Sequence, residues 1–312
     1  MSDIIPFPKM KNKLMKDIDE AMKQAQYERA YDAFNAYERH FELSPELALM
    51  KCEVLWQLEA YLELKEESNI LMVQGFQPYD TLMIYYIKSL FALGHYHSVV
   101  EMITQVIDEV REHETRLILL PIKDQAQSKL DERQDYMAHR LQNFTYLDQS
   151  EQTKLLLSLI DDSAYQFQST IAYLLQNETL PMNIQSLMLE YLRFARYNQC
   201  VQVEKPFCNL KVKPSELSGI EQTTFKTELL PRIIHRLESE MPSFVHEAYV
   251  HEAYVHLHTH NIALYPVDIL EEASIDTWIE GYMNYFKALM GFEYETDGAT
   301  TAIFNLIKSL NT

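Results

Sequence analysis

The stretch His246–His260, HEAYVHEAYVHLHTH, holds the residue types that most invite chemistry. Two tandem copies of HEAYV are followed by His256, His258 and His260. A zinc-protease helix carries HExxH, because positions i and i+4 share one face and can share one tetrahedral ion. Here the spacing is HExxxH, at His246–His251 and again at His251–His256. Five residues turn the helix by about 140°, so these pairs diverge. Glu252, His256 and His260, spaced i, i+4, i+8, do align, and they are the candidate metal ligands. On them rests an alternative reading as a metal-dependent hydrolase. The leading reading makes the stretch a duplicated pentapeptide in an amphipathic helix, with Tyr249, Ala253 and His256 partly buried. It expects no metal, no cofactor and no catalytic residue.

Other catalytic signatures are missing. Gly75, Gly94, Gly219, Gly281, Gly291 and Gly298 are too dispersed to build a phosphate cradle. There is no GxSxG elbow. The acidic run Glu293–Asp297 does not meet EF-hand spacing and reads as a solvated turn. Cys52, Cys200 and Cys208 are an odd, sparse set without CxxC spacing, which argues against both a disulfide framework and a zinc site.

The elements that hold these residues are helical by composition. Only 6 glycines occur in 312 residues, so tight turns with positive φ are few and an all-β fold is disfavoured. Hydrophobic residues make up 47% of the chain, enough to build a core. The formal charge of −19 repels phosphate backbones and anionic lipid, so no nucleic-acid or membrane partner is expected. The cluster Lys9, Lys11, Lys13 and Lys16 reads as a solvated helix face. No apolar run is long enough for a membrane span or a signal peptide. A cytoplasmic location is expected.

The first third of the chain repeats. The segments QYERAYDAFNAY, AYLELKEESNIL and HYHSVVEMITQV begin at Gln26, Ala60 and His95. Their leading tyrosines, Tyr27, Tyr61 and Tyr96, are 34 and 35 residues apart. Apolar or small residues recur three, seven and ten positions on: Ala30, Phe34 and Tyr37; Leu64, Ser68 and Leu71; Val99, Ile103 and Val106. These offsets draw one stripe down a helix. A second apolar helix precedes each: Leu14, Ile18, Met22 and Ala25; then Leu47, Met50, Val54 and Leu58; then Met83, Ile87 and Leu90. Ser44-Pro45 and Gln77-Pro78 mark the breaks. Each unit is helix, turn, helix, and neither helix can bury its face alone, so neighbours stack.

The period, the turn aromatic, the Gly94-His95-Tyr96 turn and the closing prolines resemble tetratricopeptide repeats, over about residues 10–112. A fourth, degenerate pair is expected at 115–130, interrupted by Pro121, and 131–146. The whole chain also resembles uncharacterised tetratricopeptide proteins of Gram-positive bacteria, on the phrases Pro181–Pro214 and Leu257–Pro266. The resemblance implies a superhelix whose inner wall is made by the first helix of each pair. Aligned on the tyrosines, Met22, Lys23, Glu53, Trp56, Lys88 and Phe91 fall near that wall as the candidate binding groove. Trp56 and Phe91 also fit ordinary inter-repeat core. The Lys/Asn carboxylate clamp that some members use for chaperone tails is not reproduced.

Beyond residue 146 the 34-residue period is lost, and helices read at 150–160, 165–175, 183–197, 222–240, 243–258, 275–290 and 300–310. Pro231 should kink or split its helix. In Gln199–Lys213, valine and polar residues alternate on both sides of Lys205-Pro206, which predicts a β-hairpin. A turn centred on Pro206 sets Cys208 opposite Glu204 and leaves Cys200 and Cys208 unbonded. The fold class is all-α: a tetratricopeptide-like domain over 1–146, then a helical domain over 147–312 with a hairpin near 199–213. The expected function is a cytoplasmic protein- or peptide-binding scaffold, with a peptide-responsive regulator as a further alternative to the hydrolase.

Overall fold

The computed structural model describes residues 8–110, 112–240, 247–294 and 297–310. Among them the chain forms fifteen α-helices and one two-stranded antiparallel sheet. It divides into two compact units, Met1–Asp135 and Tyr136–Thr312.

The first unit opens with three helix pairs. They are α1 (Pro8–Lys23) with α2 (Tyr27–Glu38), α3 (Pro45–Gln57) with α4 (Tyr61–Val73), and α5 (Tyr79–Ala92) with α6 (Tyr96–Val106). Each repeat tyrosine starts the second helix of its pair, as the spacing predicts. The turn geometry is shared. Two residues before each tyrosine the backbone is left-handed, at Ala25 (φ 52°), Glu59 (φ 56°) and Gly94 (φ 77°). The next N–H closes back on the helix, Gln26 to the Ala21 carbonyl at 2.9 Å, Ala60 to Leu55 at 3.0 Å and His95 to Leu90 at 3.0 Å. These bonds satisfy carbonyls that the helix end would orphan. Ala25, read from sequence as part of the apolar stripe, is therefore an exposed turn residue.

Burial follows the stripes. Ile18, Cys52 and Ile87, each nine residues before its tyrosine, are fully buried. So are Ala30, Phe34, Leu64, Val99 and Ile103 on the second helices. Ser68 shares that environment because its hydroxyl donates to the Leu64 carbonyl at 2.6 Å. Ser44 accepts from the Leu47 N–H at 3.4 Å, with Pro45 in the first turn of α3.

The degenerate fourth pair is absent. One helix, α7 (His113–Gln142), runs through the site of the expected break at 130–131 and through Pro121. No glycine or proline punctuates Leu130-Asp131, so nothing stops propagation there. Pro121 costs the bond to the carbonyl of Leu117. Both residues are exposed, so that carbonyl stays on the solvated side.

The second unit begins with a further hairpin of the same kind. α8 (Gln149–Asp161) starts at a capping box in which Asp148 and Glu151 reciprocate. Ser163 is left-handed at φ 49°, Ala164 N–H reaches the Leu159 carbonyl at 2.9 Å, and Tyr165 opens a 3₁₀ turn leading into α9 (Gln168–Asn177). Tyr165 lies 69 residues after Tyr96, two periods on, and Leu156, nine residues before it, is fully buried. The repeat phase thus survives past the point where the sequence reading lost it.

α10 (Met182–Phe194) follows, then β1 (Val201–Lys205) and β2 (Cys208–Val212). The connection is Pro206-Phe207, so Lys205 pairs with Cys208 and Glu204 with Asn209. This corrects the predicted register by one residue: a two-residue turn sits between the strands and is not centred on proline. Cys200 lies just outside β1, and all three cysteines are free thiols.

A π-helical turn at Phe225–Leu229 passes into α11 (Leu230–Glu240) immediately before Pro231. The expected single helix is thus split where proline withholds its N–H. α12 (Glu247–Leu264), α13 (Ile269–Glu272), α14 (Ile275–Leu289) and α15 (Gly298–Ser309) complete the chain. α12 continues past the expected end at 258, and residues 243–246 lie outside the described residues. One core gathers α8, α9, α10, β1 and Tyr265; a second gathers α11, α12, α14 and α15 around Trp278 and Tyr282.

Candidate functional site

Met22, Trp56 and Phe91 occupy equivalent positions, five residues before the tyrosine of their pair. All three are half-buried, each against a different core. Trp56 packs on Tyr61 with ring centroids 5.3 Å apart, and Phe91 on Tyr96 at 5.4 Å. One side of each ring is therefore inter-helix packing. On Trp56 a second contact is polar: the Lys88 ammonium lies 5.4 Å from the indole centroid.

Glu53 sits one turn before Trp56 on α3 and is half-buried. Tyr85 of α5 donates to its Oε2 at 2.6 Å, and Gln57 to its Oε1 at 2.8 Å. Burial, and then the Glu53 carboxylate, raise the Tyr85 pKa well above the ordinary phenol value, so Tyr85 stays a donor. The structure brings Glu53, Trp56 and Lys88 into one cluster across α3 and α5, with Phe91 one turn beyond Lys88. Met22 and Lys23 stand together on α1, Lys23 exposed in its last turn.

Sequence reasoning missed the polar ties beside this cluster. Lys51 of α3 is buried and donates to Glu38 of α2 at 2.9 Å and to Glu67 of α4 at 2.8 Å. Burial pulls its pKa down, but the two carboxylates outweigh that and the net shift is upward. Tyr31 donates to Glu63 at 2.9 Å across the same helices. The Tyr31–Glu63 and Glu53–Tyr85 pairs are both 32 residues apart. The two pairs fall at different places in the repeat and run in opposite order along the chain, so the shared spacing offered no signal in the sequence.

The structure gives His256, His258 and His260 separate partners. Glu252 is exposed. His256 Nδ1 is 3.2 Å from the Tyr285 hydroxyl, and His260, fully buried, has its Nδ1 3.1 Å from the Tyr282 hydroxyl. The two imidazoles meet edge to face, 6.1 Å apart. His258 faces another way, where Lys226 Nζ approaches its Nε2 at 2.7 Å; burial and that ammonium lower its pKa. Ala253 is buried, as the sequence suggested. His246 lies outside the described residues. Among the described residues no group of three or more His, Cys, Asp or Glu side chains could hold a metal ion.

A buried lysine in the second unit was also missed. Lys205, at the end of β1, donates to Ser186 Oγ of α10 at 2.8 Å, to the Ala263 carbonyl at 2.5 Å and to the Tyr265 carbonyl. The carbonyls belong to the C-terminal end of α12, where a cation completes the helix. Its partners are all neutral, and burial lowers its pKa to about 7.

The chain is similar over 305 residues to the TPR repeat-containing protein YsoA of Bacillus subtilis (strain 168), at 21% identity over 94% of this chain and 89% of that protein. No family model matches, and no solved structure matches. The helical hairpins and this relative agree on a tetratricopeptide-like architecture. Among the described residues no helix is long and apolar enough to cross a membrane.

Proposed function

We propose that the chain is a cytoplasmic, non-catalytic scaffold that binds a protein or peptide segment on the first helices of its N-terminal repeats, through Met22, Lys23, Glu53, Trp56, Lys88 and Phe91. The observation that carries this reading is the Glu53–Trp56–Lys88 cluster. It sets an ammonium from α5 over a half-exposed indole on α3, with a carboxylate one turn before that indole and tied to α5 through Tyr85. An aromatic anchor within a polar rim is the composition of an interface centre. The similarity to a protein described as TPR repeat-containing supports the same class. A net charge of −19 favours basic or neutral partner segments, with association slowing as salt rises.

Capture of partners from a lysate by the full chain tests the proposal. Lys23→Glu, on the exposed last turn of α1, should cut capture several-fold with an unchanged melting temperature, and Lys88→Glu should cut it several-fold with at most a small drop in melting temperature from the lost contact with Trp56. Capture indifferent to both substitutions removes this surface from consideration.

A further inference from the structure

In the two-stranded sheet of the second unit, β1 borders a groove. The strands are joined by two residues, so Lys205 and Cys208 are the pair that exchanges hydrogen bonds across the turn. Alternation then makes Val203–Leu210 and Val201–Val212 the bonded pairs. The backbone N–H and C=O groups of Gln202 and Glu204 consequently point away from β2. One side chain addresses this edge: Gln176 Oε1 accepts from the Gln202 N–H at 3.4 Å, a long contact.

A groove of about 1080 Å³ lies along the edge, lined by Gln202, Glu204, Lys205 and Pro206 on one side and by the segment 175–182 on the other. Its rim carries two exposed carboxylates, Glu178 and Glu204. The one cation that lines it, Lys205, is buried and already donates to three oxygens of its own fold. Gln185 of α10 lines the same groove and is only 7% exposed. Its Nε2 donates to the Leu180 carbonyl at 2.8 Å, which fixes the amide orientation, and its Oε1 has no partner. Buried acceptors are seldom left unmade.

We infer that this groove is a second binding site, distinct from the N-terminal repeat surface, for an extended peptide segment carrying arginine or lysine. The segment lies antiparallel or parallel along β1, its backbone meeting the outward groups of Gln202 and Glu204. Displacement of the Gln176 contact opens the edge. Strand addition of this kind draws affinity from main-chain hydrogen bonds and specificity from alternate side chains. The cationic side chain sits between Glu178 and Glu204. The occupant is basic because every free charge on the groove is acidic, on a chain that is itself at −19.

The test uses the full chain and a fluorescent peptide, acetyl-Thr-Arg-Val-Arg-Thr-Val-amide, with two controls. In one control both arginines become glutamate. In the other the backbone nitrogens of alternate residues are methylated, in each of the two phases. The arginine peptide should bind, the glutamate peptide at least about tenfold more weakly, and one of the two methylated phases should lose binding. Glu178→Lys and Glu204→Lys should each weaken binding by about tenfold or more with an unchanged melting curve. Glu66→Lys, an exposed residue of the other unit that belongs to neither surface, should leave it unchanged. Absence of binding by the arginine peptide up to millimolar concentration overturns the inference, as does equal binding of both methylated phases. Self-association of the chain that Glu204→Lys abolishes would assign the edge to a second copy and likewise overturn it.

Discussion

Two buried lysines show how the same side chain is held by opposite means. Lys51 is paired with two carboxylates, so its charged form is favoured, and its folded pKa lies above the unfolded value. Its contribution is present at neutral pH and is lost only as pH rises through that elevated pKa. Lys51→Met leaves Glu38 and Glu67 facing each other unpaired and should cost about 2–4 kcal/mol in chemical denaturation. Adding Glu67→Gln should recover part of the loss. Lys205 has only neutral acceptors, and its folded pKa of about 7 lies below the ordinary lysine value of 10.5. Between those values the unfolded chain binds a proton at this residue that the folded chain does not, so the contribution of Lys205 to stability rises with pH across the window. The slope is at most about 1.4 kcal/mol per pH unit. Denaturation midpoints measured from about pH 7 to about pH 8.5, below the range where the raised Cys52 thiol acts in the opposite direction, should climb in the parent and flatten in Lys205→Met. A parent curve that is flat or falls over this range contradicts the assignment. Neither lysine was legible in the sequence. Nothing in the local pattern around Lys51 or Lys205 says that its ammonium is withdrawn from water, because the partners come from other elements.

At the scale of elements, the repeat turn was legible because it is local. The left-handed residue, its closing N–H and the tyrosine are contiguous, so the same chemistry recurs wherever the spacing does. Gly94 suits the left-handed position; Glu59 and Ala25 occupy it at a cost. Glu59→Gly should therefore stabilise the chain by about 0.5–1 kcal/mol. Gly94→Ala should destabilise it by about 1 kcal/mol. There the strained φ of 77° is the cause, since the new Cβ would meet only the Arg133 guanidinium at 3.4 Å. Thermal denaturation of the two variants, moving in opposite directions, checks the shared turn. The helices on either side of Ser163–Tyr165 were read as helices, but their place in the repeat was hidden because α7 spans the intervening period as one helix. A register that is blank for one repeat looks like a register that has ended. The strand register was misread for a related reason. Alternating valines fix which face is buried, but only the loop length fixes which residues are opposite, and one residue moves every partner.

For the molecule as a whole, charge sets a behaviour that no single contact determines. A net of −19 on 312 residues is self-repulsive at neutral pH. The ion pairs that oppose it differ in kind. Lys16–Glu20, Lys129–Glu132 and Lys213–Glu216 are exposed pairs one turn apart, worth little and weakened by salt. The Lys51 triad is buried and is screened much less. Raising salt from about 0.01 M to about 0.15 M shortens the screening length from about 30 Å to about 8 Å. This removes most of the long-range repulsion while sparing the buried triad and the apolar cores. The melting temperature at pH 7 should therefore rise by a few degrees over that range, measured by differential scanning calorimetry. The association rate with a basic partner should fall over the same range, because steering acts through the same long-range field. The two responses have opposite signs from one cause. A melting temperature that falls with salt would mean that exposed ion pairs outweigh net repulsion, and the argument for an electrostatically steered basic partner would lose its footing with it.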